Sequence, residues 1–154
     1  MKLKKIEFAR QTNFVLALLL IHFVFFGYLS NVYQKSIGEG VLFLYQVLFH
    51  PDSYLSSIIL AAIVFLMVFR EKFFEYGIRN SIWLVPFIIV QSWIWYWFII
   101  ESFDITIIGV YFLRIESYIT ILTLFGLNIF IALLASIARV KYDAFISRVK
   151  NIEV

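Results

Sequence analysis

Four stretches of this chain run without an Asp, Glu, Lys or Arg: residues 13–33, 53–69, 81–100 and 117–138. A helix that crosses the hydrocarbon layer of a bilayer needs about 20 consecutive apolar residues. Only helices and closed barrels can do so, because no water is present to satisfy exposed backbone N–H and C=O groups. Each stretch is long enough, or nearly so, for one crossing. Composition agrees: 63% of residues are hydrophobic and 15% charged, against about 45–50% and about 25% in a soluble domain. So apolar a chain must give much of its exterior to lipid. The expected fold is therefore an all-α membrane protein, a four-transmembrane-helix bundle in a single integral membrane domain spanning residues 1–154.

The basic residues set the expected direction. Lys2, Lys4, Lys5 and Arg10 precede the first span. Arg70, Lys72 and Arg79 lie between the second and third, and Arg139, Lys141, Arg148 and Lys150 follow the fourth. Together they make eleven of the 13, leaving Lys35 and Arg114 on the opposite side. Lys and Arg accumulate in cytoplasmic loops, so both termini are expected in the cytoplasm (N-in/C-in) of a bacterial or archaeal cell membrane. The net charge of +3 thus serves topology, and no nucleic-acid partner is expected. "MKLKKIEFARQT" resembles the start of a signal peptide, but the apolar run behind it is long and lacks a small-residue cleavage site. It reads as an uncleaved signal anchor.

The connecting segments are unusual. "VLFLYQVLFH" within 34–52 and "ITIIGVYFLRI" within 101–116 are apolar yet too short to span, so both should lie over the bundle at the interface. The second is rich in β-branched residues, which favours an extended conformation. His50-Pro51-Asp52-Ser53 reads as a helix start, with Asp52 or Ser53 as N-cap. In 139–154, Tyr142, Phe145, Ile146, Val149 and Ile152 recur at helical spacing opposite Lys and Arg. That tail is expected to be an amphipathic helix lying on the anionic leaflet, or else a docking helix.

A shift of 69 residues superposes "GVLFL" (40–44) on "GVYFL" (109–113) and Arg70 and Lys72 on Arg139 and Lys141. The chain can thus be read as a tandem repeat of two helical hairpins about an axis along the membrane normal.

Polar residues inside the spans are few. His22, Gln91 and Asn128 each lie about nine to eleven residues into a helix, or about 13–17 Å deep. They are expected to form a midplane polar layer that ties helices together. A proton or ion path is the functional alternative, since ionisable groups within a membrane are often functional; no intramembrane carboxylate accompanies His22. Ala61 and Ala62 offer close helix approach on the second span.

The third span carries the aromatic run "SWIWYWFII". Trp95 shares a face with Gln91 and should point inward. Tyr96 and Trp97 fit the aromatic belt at the membrane boundary. Trp93 lies about 10 Å below that boundary, so it should pack on a neighbouring helix or mark a contact with a partner. Pro86 is expected to kink the helix.

Catalytic chemistry finds little support. The absence of Cys removes thiolate ligands and Cys nucleophiles. His22 and His50 differ in depth by about half the membrane, which disfavours a bis-His haem. His50, Asp52, Glu101, Asp104 and Glu116 form at most an outer acidic rim, and their spacing is not that of a metal site. No cofactor is expected. The favoured function is non-enzymatic: a small polytopic protein that binds another membrane protein, as an accessory subunit or immunity-type factor, or that forms a homo-oligomer. A small transporter or channel component using the polar layer comes next. A membrane-embedded enzyme acting on lipid through His50 and Asp52 or Glu101 comes last.

Overall fold

The computed structural model describes residues 2–152, which are helical almost throughout with no strand among them. Helix α1 (Lys2–Leu20) passes through a π turn (Ile21–Phe25) into α2 (Phe26–Val32). Two short helices follow, α3 (Gln34–Glu39) and α4 (Phe43–Phe49), and a 3₁₀ turn at Pro51–Ser53 opens α5 (Tyr54–Arg70). Then come α6 (Phe74–Ile100), the short α7 (Thr106–Phe112) and α8 (Ile115–Ile152). Four helical segments are long and apolar enough to cross a membrane: Phe8–Val32, Pro51–Arg70, Phe74–Ile100 and Ile115–Ile152. The chain is an integral membrane protein.

Helix α8 is the hub, packing against both α5 and α6, while α1 and the π turn lie along α5 and α6. The hub can be shared because its inward face is narrow: Leu124, Asn128, Ala132, Ala135 and Ser136 are all buried, and three of them are small. Without a hydrophobic drive between helices in lipid, close backbone approach is what gains dispersion contacts. A second close approach joins α5 to α6, where a Cβ on Gly77 would stand 2.8 Å from Val68 Cγ1. Hence Gly77, which sequence reading passed over, has the role expected of the alanine pair. Ala61 is only half-buried and Ala62 is exposed.

The two ends of the bundle differ. At one end, Asn13 on α1 donates to Glu71 after α5 at 3.2 Å, and Arg139 on α8 donates to the Phe69 carbonyl at 2.9 Å. This basic end gathers the start of α1, the α5–α6 connection and the distal part of α8. The opposite end is covered by short helices. There α3 packs on α6, α4 on α8 and α5, and α7 on α8, burying Ile37, Phe43, Leu44, Val47, Ile107 and Tyr111.

The apolar connections therefore lie over the bundle as helices. The extended conformation expected for "ITIIGVYFLRI" does not occur: Asp104 Oδ1 accepts from the Thr106 N–H at 2.9 Å and from its hydroxyl at 2.7 Å. This turn aligns the chain to begin α7, and local hydrogen bonding outweighs β-branched propensity. The helix start at 50–53 also differs from expectation. His50 Nδ1 accepts from the Asp52 N–H at 3.2 Å, and the Ser53 hydroxyl donates to the carbonyls of Val47 and His50 instead of capping α5. The Ser117 hydroxyl makes the same six-residue bond back to the Tyr111 carbonyl at the start of α8. Helix α6 continues through Pro86, and α8 continues without interruption to Ile152.

Candidate functional site

The polar residues of the spans make bonds between helices, but not with one another. Gln91 Nε2 donates to the Leu18 carbonyl at 3.4 Å, and Trp95 Nε1 donates to His22 Nδ1 at 3.3 Å. Both pairs are 73 residues apart, so α1 and α6 run parallel and in register. Their four-residue step on each helix separates the two contacts by about 6 Å along the axis. Asn128 stands apart, donating to the Ser81 carbonyl at 2.9 Å. Ser81 lies ten residues before Gln91, about 15 Å along α6. The three residues thus tie α6 to α1 near one level and α6 to α8 at another. His22 enters this contact through Nδ1 as the acceptor. It lies in the π turn, where the wider ring of backbone bonds accommodates one extra residue.

The aromatic run divides by face. Trp93 is buried, its indole meeting Tyr111 and Phe112 of α7 edge-on at centroid distances of 5.5 and 5.9 Å. The covering segment thus packs directly on this indole within the chain. Neither the Trp93 N–H nor the Tyr111 hydroxyl has a partner among the described residues. Burial pushes the Tyr111 phenol up to about 12, because the charged form loses its hydration. Trp97 Nε1 donates to the Asp104 carbonyl at 3.0 Å and its ring lies 4.5 Å from that of Phe103. Trp97 thereby ties α6 to the start of the segment that covers Trp93.

The five residues of the outer rim do not assemble. No group of three or more His, Asp or Glu among the described residues is placed to hold a metal ion. His50 and Asp52 make only a local, exposed contact at 3.9 Å. The Asp104 carboxyl is held below the usual carboxylate range by its bonds from the Thr106 hydroxyl and N–H. Glu101 ends α6 in the left-handed region, at φ 53° and ψ 31°, a position that glycine fills more cheaply. Asp104 and Glu101 thus sit where the chain turns.

The tail is the feature least used by the fold. Helix α8 has 38 residues, about 57 Å at 1.5 Å per residue, against a hydrocarbon layer of about 30 Å. Arg139 fixes the point where it leaves the bundle. Its guanidinium bonds the Phe69 carbonyl and Asp143, the latter at 3.1 Å, while Tyr142 packs on the Phe69 ring at 5.7 Å. Beyond that point Phe145 is 62% and Ile152 83% exposed. At about 100° per residue, Tyr142, Phe145, Ile146, Val149 and Ile152 occupy an arc of about 120°. Arg139 and Lys150 flank it on one side, Lys141 and Arg148 on the other.

Comparisons with family models, with curated proteins and with solved structures give no match.

Proposed function

We propose that this protein acts without enzymatic chemistry, by binding another membrane protein at the cytoplasmic face through the distal part of α8. The carrying observation is the unbroken course of α8 through Arg139 to Ile152. A helix that lies on the leaflet after a crossing must bend sharply, and sharp bends have causes such as Pro, a π turn or an inserted side chain. No Pro or Gly lies in 139–152, and the helix is regular there. An uninterrupted helix carries its apolar stripe away from the membrane, where it needs a protein groove to bury it. The basic flanks favour a groove with acidic rims. The cytoplasmic assignment rests on the eleven Lys and Arg at the basic end and the positive-inside rule.

The bonds of His22, Gln91 and Asn128 support a structural role over conduction, since each is spent on a neighbouring helix. The parallel α1–α6 pairing supports reading the chain as two hairpins, whereas the Ser53 and Ser117 bonds recur at a spacing different from the 69 residues of the sequence match.

A photo-crosslinking residue at Phe145, activated in native membranes, tests the docking role. The expected product is one discrete adduct with a second membrane protein, lost when Lys141 and Arg148 are changed to Glu. An adduct with lipid alone, or a protein adduct indifferent to the charge reversal, would overturn it.

A further inference from the structure

Two cavities meet between α1 and the end of α5. The first, about 380 Å³, is lined by Lys5, Arg10, Arg70 and Lys72, with Glu71 and Tyr76 also in its wall. Arg10 lies 4.1 Å above the Tyr76 ring, a cation–π contact that orients the guanidinium while leaving its charge uncancelled. Glu71 is the acid of this wall, and Asn13 holds one of its oxygens at 3.2 Å. Among the described residues none of the four cations has a carboxylate within ion-pair distance. Four cations thus face one cavity with one buried acid among them.

The second cavity, about 120 Å³, shares Asn13 and Arg70 with the first and continues along the helices. Its lining follows one rule on both sides. Asn13, Leu16, Ala17 and Leu20 on α1 and Ile63, Leu66, Met67 and Arg70 on α5 each repeat at i, i+3, i+4, i+7, the spacing of one helical face. Ala17, Ile63 and Met67 are buried and make its floor; Leu16 and Leu66 are exposed and make its walls. The groove extends from the charged cavity for about 10 Å, toward the middle of the spans.

We propose that these joined cavities bind one anionic phospholipid, its phosphate among Lys5, Arg10, Arg70 and Lys72 and an acyl chain in the α1–α5 groove. Charge complementarity defines the head: basic pockets between membrane helices suit anionic headgroups. The groove defines the tail, because a free phosphate would use the first cavity and leave the second without an occupant. Asn13 and Arg70 stand at the junction, where the glycerol ester region would lie. The proposal is independent of the α8 docking role and shares none of its residues.

The test uses the full chain in a neutral detergent, followed by thermal unfolding and native mass spectrometry. Phosphatidylglycerol is added, and in parallel phosphatidylcholine or inorganic phosphate. The expected result is a rise in Tm and a retained single adduct with phosphatidylglycerol only. Lys5 and Lys72 are both exposed, so K5Q/K72Q should fold normally and bind about twenty-five-fold more weakly, from about fivefold per lysine. The variant K35Q/R114Q removes equal charge at two exposed positions elsewhere and should bind as the unaltered chain does. Equal binding of the two lipids would overturn the proposal, as would a response to phosphate matching that to phosphatidylglycerol. So would equal loss in both variants, which would mean diffuse attraction of a basic surface.

Discussion

Trp93 buries its indole ring on the third crossing, and its N–H has no hydrogen-bond partner among the described residues. Its worth to the fold must come from ring packing on Tyr111 and Phe112. Trp93→Phe keeps an aromatic edge there and removes an N–H that has no partner, so it should cost less than about 1.5 kcal/mol. Trp93→Ala leaves a void under α7 and should cost about 3–5 kcal/mol. Denaturant unfolding of the detergent-solubilised chain, followed by helicity, measures both; equal losses would show that the N–H, not the ring, matters. The depth of Trp93 was legible in the sequence as something the membrane boundary does not explain. Its neighbour was not, because Ile105, Thr106, Ile107 and Ile108 favour an extended chain until the Asp104 turn starts a helix. The inward face of Trp95 was legible from its spacing to Gln91, whereas the pairing with His22 needs the relative register of α1 and α6.

The π turn is the element that sequence reading missed, and the reason is physical. The buried positions Ala17, Ile21, Phe25 and Leu29 recur every four residues. In a regular α-helix Ala17 and Leu29 would be turned about 120° apart, since each four-residue step overshoots by about 40°. One extra residue taken into the π turn reduces this to about 20°, so both ends of the crossing face the same neighbours. In a segment apolar on all sides, a four-residue rhythm leaves no contrast to read. Deleting Phe23, which is exposed, should restore a regular helix while keeping both faces. The expected outcome is a folded chain that retains the Asn13–Glu71 contact and loses the ring contact between His22 and Trp95. Quenching of Trp95 fluorescence by His22, read in a variant with the other Trp residues changed to Phe, follows the second change. A chain unfolded by the deletion would mean that the π turn itself holds α1 to α6.

At the scale of the molecule the four crossings were legible because charge-free length is a coarse signal that packing cannot disguise. Their observed helices run past the apolar limits, most of all α8, whose last fourteen residues extend a helix that hydropathy alone would stop near Ala138. The distribution of charge carries the remaining consequence. The start of α1, the α5–α6 connection and the far part of α8 come together at one end through Asn13–Glu71 and Arg139–Phe69. The eleven clustered Lys and Arg lie on the segments gathered at that end, whereas Lys35 and Arg114 lie on other connections. Placing a Lys or Arg within the hydrocarbon costs about 2.5–3.5 kcal/mol even in insertion measurements, and leaving the shorter loops on the basic side avoids translocating many such groups. A reporter fused after Val154 should accordingly fluoresce as a cytoplasmic protein, and a phosphatase active only outside the cell should be silent there. An active phosphatase would reverse the orientation, moving the basic cavity to the outer leaflet and the α8 extension outside the cell. The packing would be unchanged, but the lipid and the partner would have to be sought on the opposite face.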